Sequence, residues 1–221
     1  FATKIEDCGC IRHPNIHFIG ASPDGINVDP NSDKYGRMLE VKNIYNRDIN
    51  GIPKEEYWIQ MQIQLETCNL ECCDFLETRF LEYNHEKDYY NGQHEYKGII
   101  LYFMKDRSNE VIHEYMPLHL KTKEKNDEWI SDAQMKIDAE YKLTRTNYWY
   151  LDELSCVVVK RNRLWFEAAK EKIIETWNII QKEKKDGFTH REPKKKIKTN
   201  IFITQMDSSQ IIHNLKIEKK V

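Results

Sequence analysis

The segment RMLEVKNI, residues 37–44, constrains the fold most, because it predicts a β-strand that carries two charges on one face. Side chains alternate along a strand, so Glu40 and Lys42 point one way while Leu39 and Val41 point the other. Charges in the middle of an apolar strand need partners or water. The pair therefore belongs either to a solvated edge strand or to a polar site.

A tight turn precedes this strand. The run GASPDG, residues 20–25, ends a short predicted strand, and Pro23 fixes its own φ while Gly25 tolerates an unusual one. Asp24 lies between them. Its side chain could serve only to shape the turn, or it could supply a carboxylate to the same site as Glu40.

The hydrophobic period changes after Pro53. PKEEYWIQMQIQLETC begins with proline and two acidic residues, which are signals for the start of a helix. Apolar side chains repeat at helical spacing and predict a core-facing stripe. A neighbouring stripe contains Tyr57, Gln60 and Gln64, and by themselves the two glutamines are typical of ordinary exposed helix residues.

The rest of the chain alternates between the two periods. We predict strands at 73–83, 97–105 and 111–118, a helix at 123–143, a turn and strand within 148–162, and a long amphipathic helix at 163–185. These elements indicate an α/β (α+β) fold with a mixed central sheet flanked by helices. Residues 187–221 lose this periodicity and predict a basic linker and C-terminal tail.

Composition limits the class of protein. Charged residues make up 32% of the 221 residues, and no apolar run approaches the roughly 18 residues of a membrane span. The six cysteines form no secreted framework and no paired metal knuckles, so we expect reduced thiols in an intracellular, reducing compartment. Composition does not distinguish the cytoplasm from the nucleus.

The polar residues match the needs of phosphodiester hydrolysis. Hard divalent cations prefer carboxylate and carbonyl oxygens, and they lower the barrier to attack on a phosphate. Asp24, Glu40 and the main-chain carbonyl of Val41 offer such oxygens. Lys42 is placed to steer the water or to hold the scissile phosphate.

The order Pro23-Asp24 followed by Glu40-Val41-Lys42 resembles the restriction-endonuclease-like signature. Extended by YWIQMQ at 57–62, it resembles the YqaJ-type viral recombinase, or lambda exonuclease-like, family in its large-DNA-virus form. The resemblance implies that Asp24, Glu40 and the Val41 carbonyl bind Mg²⁺, with Mn²⁺ able to substitute. It also implies that Lys42 assists the nucleophile and that Gln60 completes the site.

The resemblance further implies a nuclease core at 1–186 that acts on double-stranded DNA ends, as an exonuclease rather than an endonuclease. It allows a homo-oligomer such as a trimer and a recombination partner protein. Two features depart from the family pattern. Asn43-Ile44 stands where many relatives have Cys-Pro, and no helix precedes His13 to supply an upstream acid, so we expect the N-terminal helices to be lacking.

Nucleic-acid contacts are predicted at Ser22, within the first motif, and in the basic run Lys160, Arg161 and Arg163. The alternative for this run is a basic helix start packed by neighbouring aromatic residues. The alternative for the whole chain is a non-catalytic nucleic-acid-binding or assembly module that retains the nuclease fold.

Overall fold

The computed structural model describes residues 3–108 and 110–192. The chain divides into two compact units, Phe1–Ile174 and Glu175–Val221. Nine strands, four α-helices and one short 3₁₀ helix, Thr189–Arg191, are present in the described ranges. The strands are β1 (Ile5–Glu6), β2 (Ile11–Arg12), β3 (Gly20–Ala21), β4 (Gly25–Asn27), β5 (Met38–Asn43), β6 (Cys72–Glu82), β7 (Lys97–Lys105), β8 (Val111–Tyr115) and β9 (Tyr141–Lys160), and the helices are α1 (Glu55–Cys68), α2 (Glu86–Asn91), α3 (Lys123–Lys136) and α4 (Arg163–Asp186).

Seven strands form one mixed sheet in the order β1-β4-β5-β6-β9-β7-β8, and β2 pairs with β3 separately. Strands β5 and β6 are parallel, because α1 connects them as a crossover. The remaining pairs in the sheet are antiparallel. The predicted fold class, a mixed central sheet with helices, is confirmed.

The first hydrophobic cluster fixes α1 against the sheet. Met61 and Leu65 of the helix pack with Met38, Cys73 and Phe75 of the strands, and all five are fully buried. Burying side chains of this size stabilises the contact by about 1.5–3 kcal/mol each. The face of β5 that carries Glu40 is therefore covered by α1.

A second cluster lies around β7. Ile99, Leu101 and Phe103 alternate on one face of the strand and are buried against Tyr89 and Met116. This pattern explains why the sequence predicts β7 well, because a strand covered on one face repeats its apolar residues every second position.

Two predicted boundaries are wrong. The helix expected at 123–143 ends at Lys136, and the segment expected as a turn and strand within 148–162 is part of the 20-residue strand β9. This strand pairs with β6 along its second half and with β7 along its first half. Many of its outward residues are exposed, so its apolar alternation is weak in the sequence.

Gly25 has a different role from the one expected. It lies in β4, and it is not among the glycines that have a positive φ. A Cβ atom at this position would lie 2.3 Å from Cγ2 of Ile5 in the paired strand β1. Glycine is therefore required by the close approach of β1 rather than by the turn.

None of the helices among the described residues is long and apolar enough to cross a membrane.

Candidate functional site

The turn that carries Asp24 is tied to strand β5. Asp24 lies in a bend just before β4, and its Oδ2 accepts a hydrogen bond of 2.6 Å from the main-chain N–H of Val41. Strand β4 pairs with β5 only at Leu39 and Met38, so β5 has no β4 partner from residue 40 onward. The N–H and C=O of a residue in an extended strand point to the same side. The carbonyl of Val41 is thus directed to the edge where the exposed Asp24 lies.

Glu40 is the buried centre of the site, with 1% of its surface exposed. Its Oε1 accepts hydrogen bonds from Nζ of Lys42 and, at 2.6 Å, from Nε2 of Gln60. Its Oε2 accepts from Nε2 of Gln64 at 2.9 Å. A buried carboxylate is tolerated only when such donors replace water. Strand β5 and helix α1 together supply all three.

Lys42 is held between a carboxylate and an aromatic ring. Its Nζ forms an ion pair with Glu40 and lies 5.3 Å from the ring centroid of Tyr57 on α1. A cation within about 6 Å of a ring face is attracted by the ring quadrupole. The structure therefore brings Glu40, Lys42 and Gln60 into contact, and Asp24 bonds the main chain of Val41, between Glu40 and Lys42.

Gln64 is a site residue that the sequence argument did not assign. It is buried, and its Nε2 bridges Oε2 of Glu40 and, at 3.3 Å, the main-chain oxygen of Ser22. It lies one helical turn after Gln60, so both amides project from the same face of α1. The four-residue spacing of Gln60 and Gln64 is visible in the sequence. It did not identify Gln64 as a site residue, because a polar stripe is also typical of a solvent-exposed helix face.

A buried thiol lies close to Glu40, on the neighbouring strand β6. Cys73 is fully buried, and burial raises the pKa of its thiol, with a further contribution from the negative charge of Glu40. A raised pKa keeps the sulfur protonated and a poor nucleophile. Cys73 is accordingly a packing residue of the first hydrophobic cluster.

The predicted nucleic-acid contacts differ in their surroundings. Ser22 is exposed beside Asp24, and Lys160 is also exposed. Arg161 has only 3% of its side chain exposed and binds Glu66, Asn69 and Glu71. Arg163 contacts Glu71 at 2.5 Å. The bonds of Arg161 therefore join the end of β9 to the end of α1. Its guanidinium is occupied by these partners rather than exposed for a phosphate.

The oxygen donors of the site are compatible with a hard divalent cation. Glu40 accepts three hydrogen bonds, so about one of its roughly four lone-pair positions is left for a cation. Oε1 of Gln64 is buried without a hydrogen-bond partner among the described residues. Within the same ranges, no group of three or more His, Cys, Asp and Glu side chains is arranged to hold a metal ion. A cation here would need main-chain or amide oxygens beside the two carboxylates.

Comparison with known proteins agrees with the motifs. Residues 2–71 match the model of the YqaJ-like viral recombinase domain, and this range contains the turn, strand β5 and helix α1. This part of the chain is similar to the YqaJ-like viral recombinase domain. The resemblance predicted from the sequence is thereby confirmed.

Two individual proteins are also similar to the chain. An uncharacterized protein of Acanthamoeba polyphaga mimivirus is 26% identical over 215 residues, which cover 80% of this chain and 39% of the relative. A crystal structure of an alkaline exonuclease from Laribacter hongkongensis is 20% identical, with 60% of this chain and 53% of that chain covered and a TM-score of 0.29. The chain thus spans well under half the length of its viral relative.

Proposed function

We propose that this chain is a metal-dependent deoxyribonuclease that hydrolyses phosphodiester bonds at the ends of duplex DNA in viral recombination or replication. The observation that carries the proposal is the arrangement of Glu40, which is buried yet bonded to Lys42, Gln60 and Gln64 beside the edge where Asp24 meets Val41. The YqaJ-like match over residues 2–71 supports it, because it covers these same residues.

Asp24, Glu40 and the carbonyl of Val41 would hold Mg²⁺, with Mn²⁺ able to replace it. When bound, the cation would offset charge on the phosphate and make water a better nucleophile. Gln60 and Gln64 fix both oxygens of Glu40, so the carboxylate keeps one orientation. Partners that orient a ligand in this way usually change metal affinity or activity by about 10–100-fold when removed.

Lys42 would hold and orient the attacking water or the scissile phosphate. Its contacts with Glu40 and Tyr57 restrict the position of Nζ. A group that is held within hydrogen-bond reach of the reacting atoms contributes about 10²–10⁴-fold to rate. Ser22 and Lys160, both exposed, are the proposed contacts to the DNA backbone.

A non-catalytic DNA-binding module is the second candidate. It is favoured by the absence, in the described ranges, of three or more His, Cys, Asp and Glu side chains grouped to hold a metal. Such a module would bind DNA and leave it intact.

The deciding experiment is digestion of end-labelled linear duplex and covalently closed circular duplex in Mg²⁺, with EDTA and Glu40→Gln as controls. An exonuclease shortens only the linear DNA, and an endonuclease also opens the circle. Binding of either DNA without cleavage in Mg²⁺ or Mn²⁺ would reject the nuclease proposal in favour of the binding module.

A further inference from the structure

A second buried acid lies on the same sheet face as the site. Glu77 of β6 pairs in register with Lys42 of the parallel strand β5, as Phe75 pairs with Glu40. Register partners in neighbouring strands project to the same face. Glu77 has no exposed surface, and β6 lies between β5 and β9 in the sheet. It is therefore a third carboxylate close to the site, in addition to Asp24 and Glu40.

The partner of Glu77 is an arginine from the loop between β5 and α1. Nη2 of Arg47 donates to Oε1 of Glu77, and Nη1 donates to the carbonyl of Asp48 at 3.1 Å. The guanidinium carbon lies 5.9 Å from the ring centroid of Tyr57, the same ring that Lys42 faces at 5.3 Å. Arg47 and Lys42 thus face one aromatic ring, and Glu77 anchors the arginine.

The pair contributes little to the stability of the fold. Oε2 of Glu77 is buried and has no hydrogen-bond partner among the described residues. A buried carboxylate with one unpaired oxygen carries a desolvation cost, and a buried ion pair is often no more stable than apolar residues of the same size. Arg47, in contrast, keeps 19% of its side chain exposed, so one end of the pair reaches solvent.

We propose that Glu77 is a positioning residue of the site, which holds the guanidinium of Arg47 beside Lys42 as a second cation for the DNA backbone. This inference rests on the proposed action on DNA. Arg47 has five N–H donors in a rigid fork, and such a fork discriminates phosphate oxygens only when its orientation is fixed. Glu77 fixes that orientation from inside the sheet.

The sign of one measurement separates positioning from simple charge. Glu77→Gln removes a negative charge, so electrostatics alone predicts tighter binding to DNA. Positioning predicts the opposite, because Arg47 loses its anchor. The matched control is Asp74→Asn, since Asp74 lies on the opposite face of the same strand, is buried, and binds Arg37 at 3.0 Å. It changes the net charge by the same amount away from the site.

The affinity of each variant for a linear duplex is measured in Ca²⁺ over a series of salt concentrations, together with kcat and KM in Mg²⁺ and the unfolding temperature. We expect Glu77→Gln to weaken affinity roughly tenfold, the scale of one charge-assisted hydrogen bond. The log–log salt slope should fall by about one, the value of one phosphate contact. KM should rise while kcat changes little, and Asp74→Asn should bind as well as the wild type or better.

Arg47 variants complete the test. Arg47→Gln and the double variant Arg47→Gln/Glu77→Gln should bind equally, because Glu77 acts only through Arg47. Arg47→Lys keeps the charge but not the fork, and it lies in a loop, so it remains informative if Glu77→Gln does not fold. It should bind as weakly as Arg47→Gln.

Unchanged or tighter binding by a folded Glu77→Gln, additive losses in the double variant, or wild-type affinity of Arg47→Lys would each overturn the inference. Hydrolysis by the wild type together with any of these results would leave the nuclease proposal standing. Binding without hydrolysis by the wild type would reject the nuclease proposal, and the same affinities would still decide the role of Glu77.

Discussion

Replacing Gln64 with leucine should separate the orientation of Glu40 from the stability of the fold. Nε2 of Gln64 donates to Oε2 of Glu40 and to the carbonyl of Ser22, and leucine has a similar size but no donor. We expect the concentration of Mg²⁺ that gives half-maximal hydrolysis to rise by about 10–100-fold, as for other residues that orient a metal ligand.

The expected stability change is small because two effects oppose each other. Losing a hydrogen bond to a charged group costs about 1.5–3 kcal/mol. Removing Oε1 of Gln64, which is buried without a partner among the described residues, recovers a desolvation cost of about 1–3 kcal/mol. The net change should lie within about 2 kcal/mol of zero, which corresponds to a shift in the unfolding temperature of less than about 8 °C for a chain of this size.

Gln62 provides the matched control on the same helix. It is also buried, but its side chain donates to the carbonyl of Lys160 at 3.1 Å and accepts from the N–H of Asn162 at 2.6 Å. Gln62→Leu leaves two main-chain groups unpaired, at about 1–3 kcal/mol each. Its unfolding temperature should fall clearly while its Mg²⁺ dependence stays normal. A folded Gln64→Leu protein with wild-type Mg²⁺ dependence would refute the role of Gln64.

Three further predictions test other parts of the structure. Asp24→Ala or Glu40→Ala should abolish hydrolysis in Mg²⁺ and leave DNA binding in Ca²⁺ largely intact, since each removes a proposed metal ligand. A variant that loses DNA binding in gel-shift assays as well as hydrolysis in digestion assays would contradict this prediction. Lys42→Arg should lower kcat by about 10²-fold, because guanidinium is bulkier and does not give up its proton; near-normal turnover would leave only an electrostatic role. The hydrogen bond from Arg161 lowers the pKa of Glu66. The stability advantage of the wild type over Glu66→Gln should therefore be full above the unfolded pKa of about 4.3 and disappear as the pH falls through the lower folded value, in urea unfolding at pH 7 and pH 3.

The elements that carry the motifs were predictable because local patterns dominate there. Strand β5 alternates between two faces, and α1 follows a proline, begins with two acidic residues and carries apolar side chains at helical spacing. The contacts of Glu40 with Lys42 and Gln60, and of Asp24 with the main chain of Val41, come from a turn, a strand and a helix that are adjacent in the chain. Local sequence patterns and the motif were therefore sufficient to predict the turn, strand β5 and helix α1.

What the sequence did not show depends on distant contacts. Strand β9 is a single strand because β6 and β7 pair with its two halves, and no local signal spans both. Helix α2 has six residues, too few for a periodic pattern. Arg161 is basic in sequence, but its burial follows from the acids that α1 and the start of β6 bring to it. The proposed binding of a metal by Asp24, Glu40 and the Val41 carbonyl remains a prediction, as do the proposed DNA contacts of Ser22 and Lys160.

The pairing of Cys72 with Lys160 has a consequence for how the chain can be divided. Until Lys160 has been synthesised, β6 has β5 on one side and an open edge on the other, directly beside the site. An open edge is a template for pairing with other chains, and contacts between distant residues form late in folding. A fragment that stops after strand β6 would contain Asp24, Glu40, Lys42 and Gln60, yet it would leave the central strand of the sheet with an open edge. The shortest piece that should express as a stable protein therefore extends at least to Lys160.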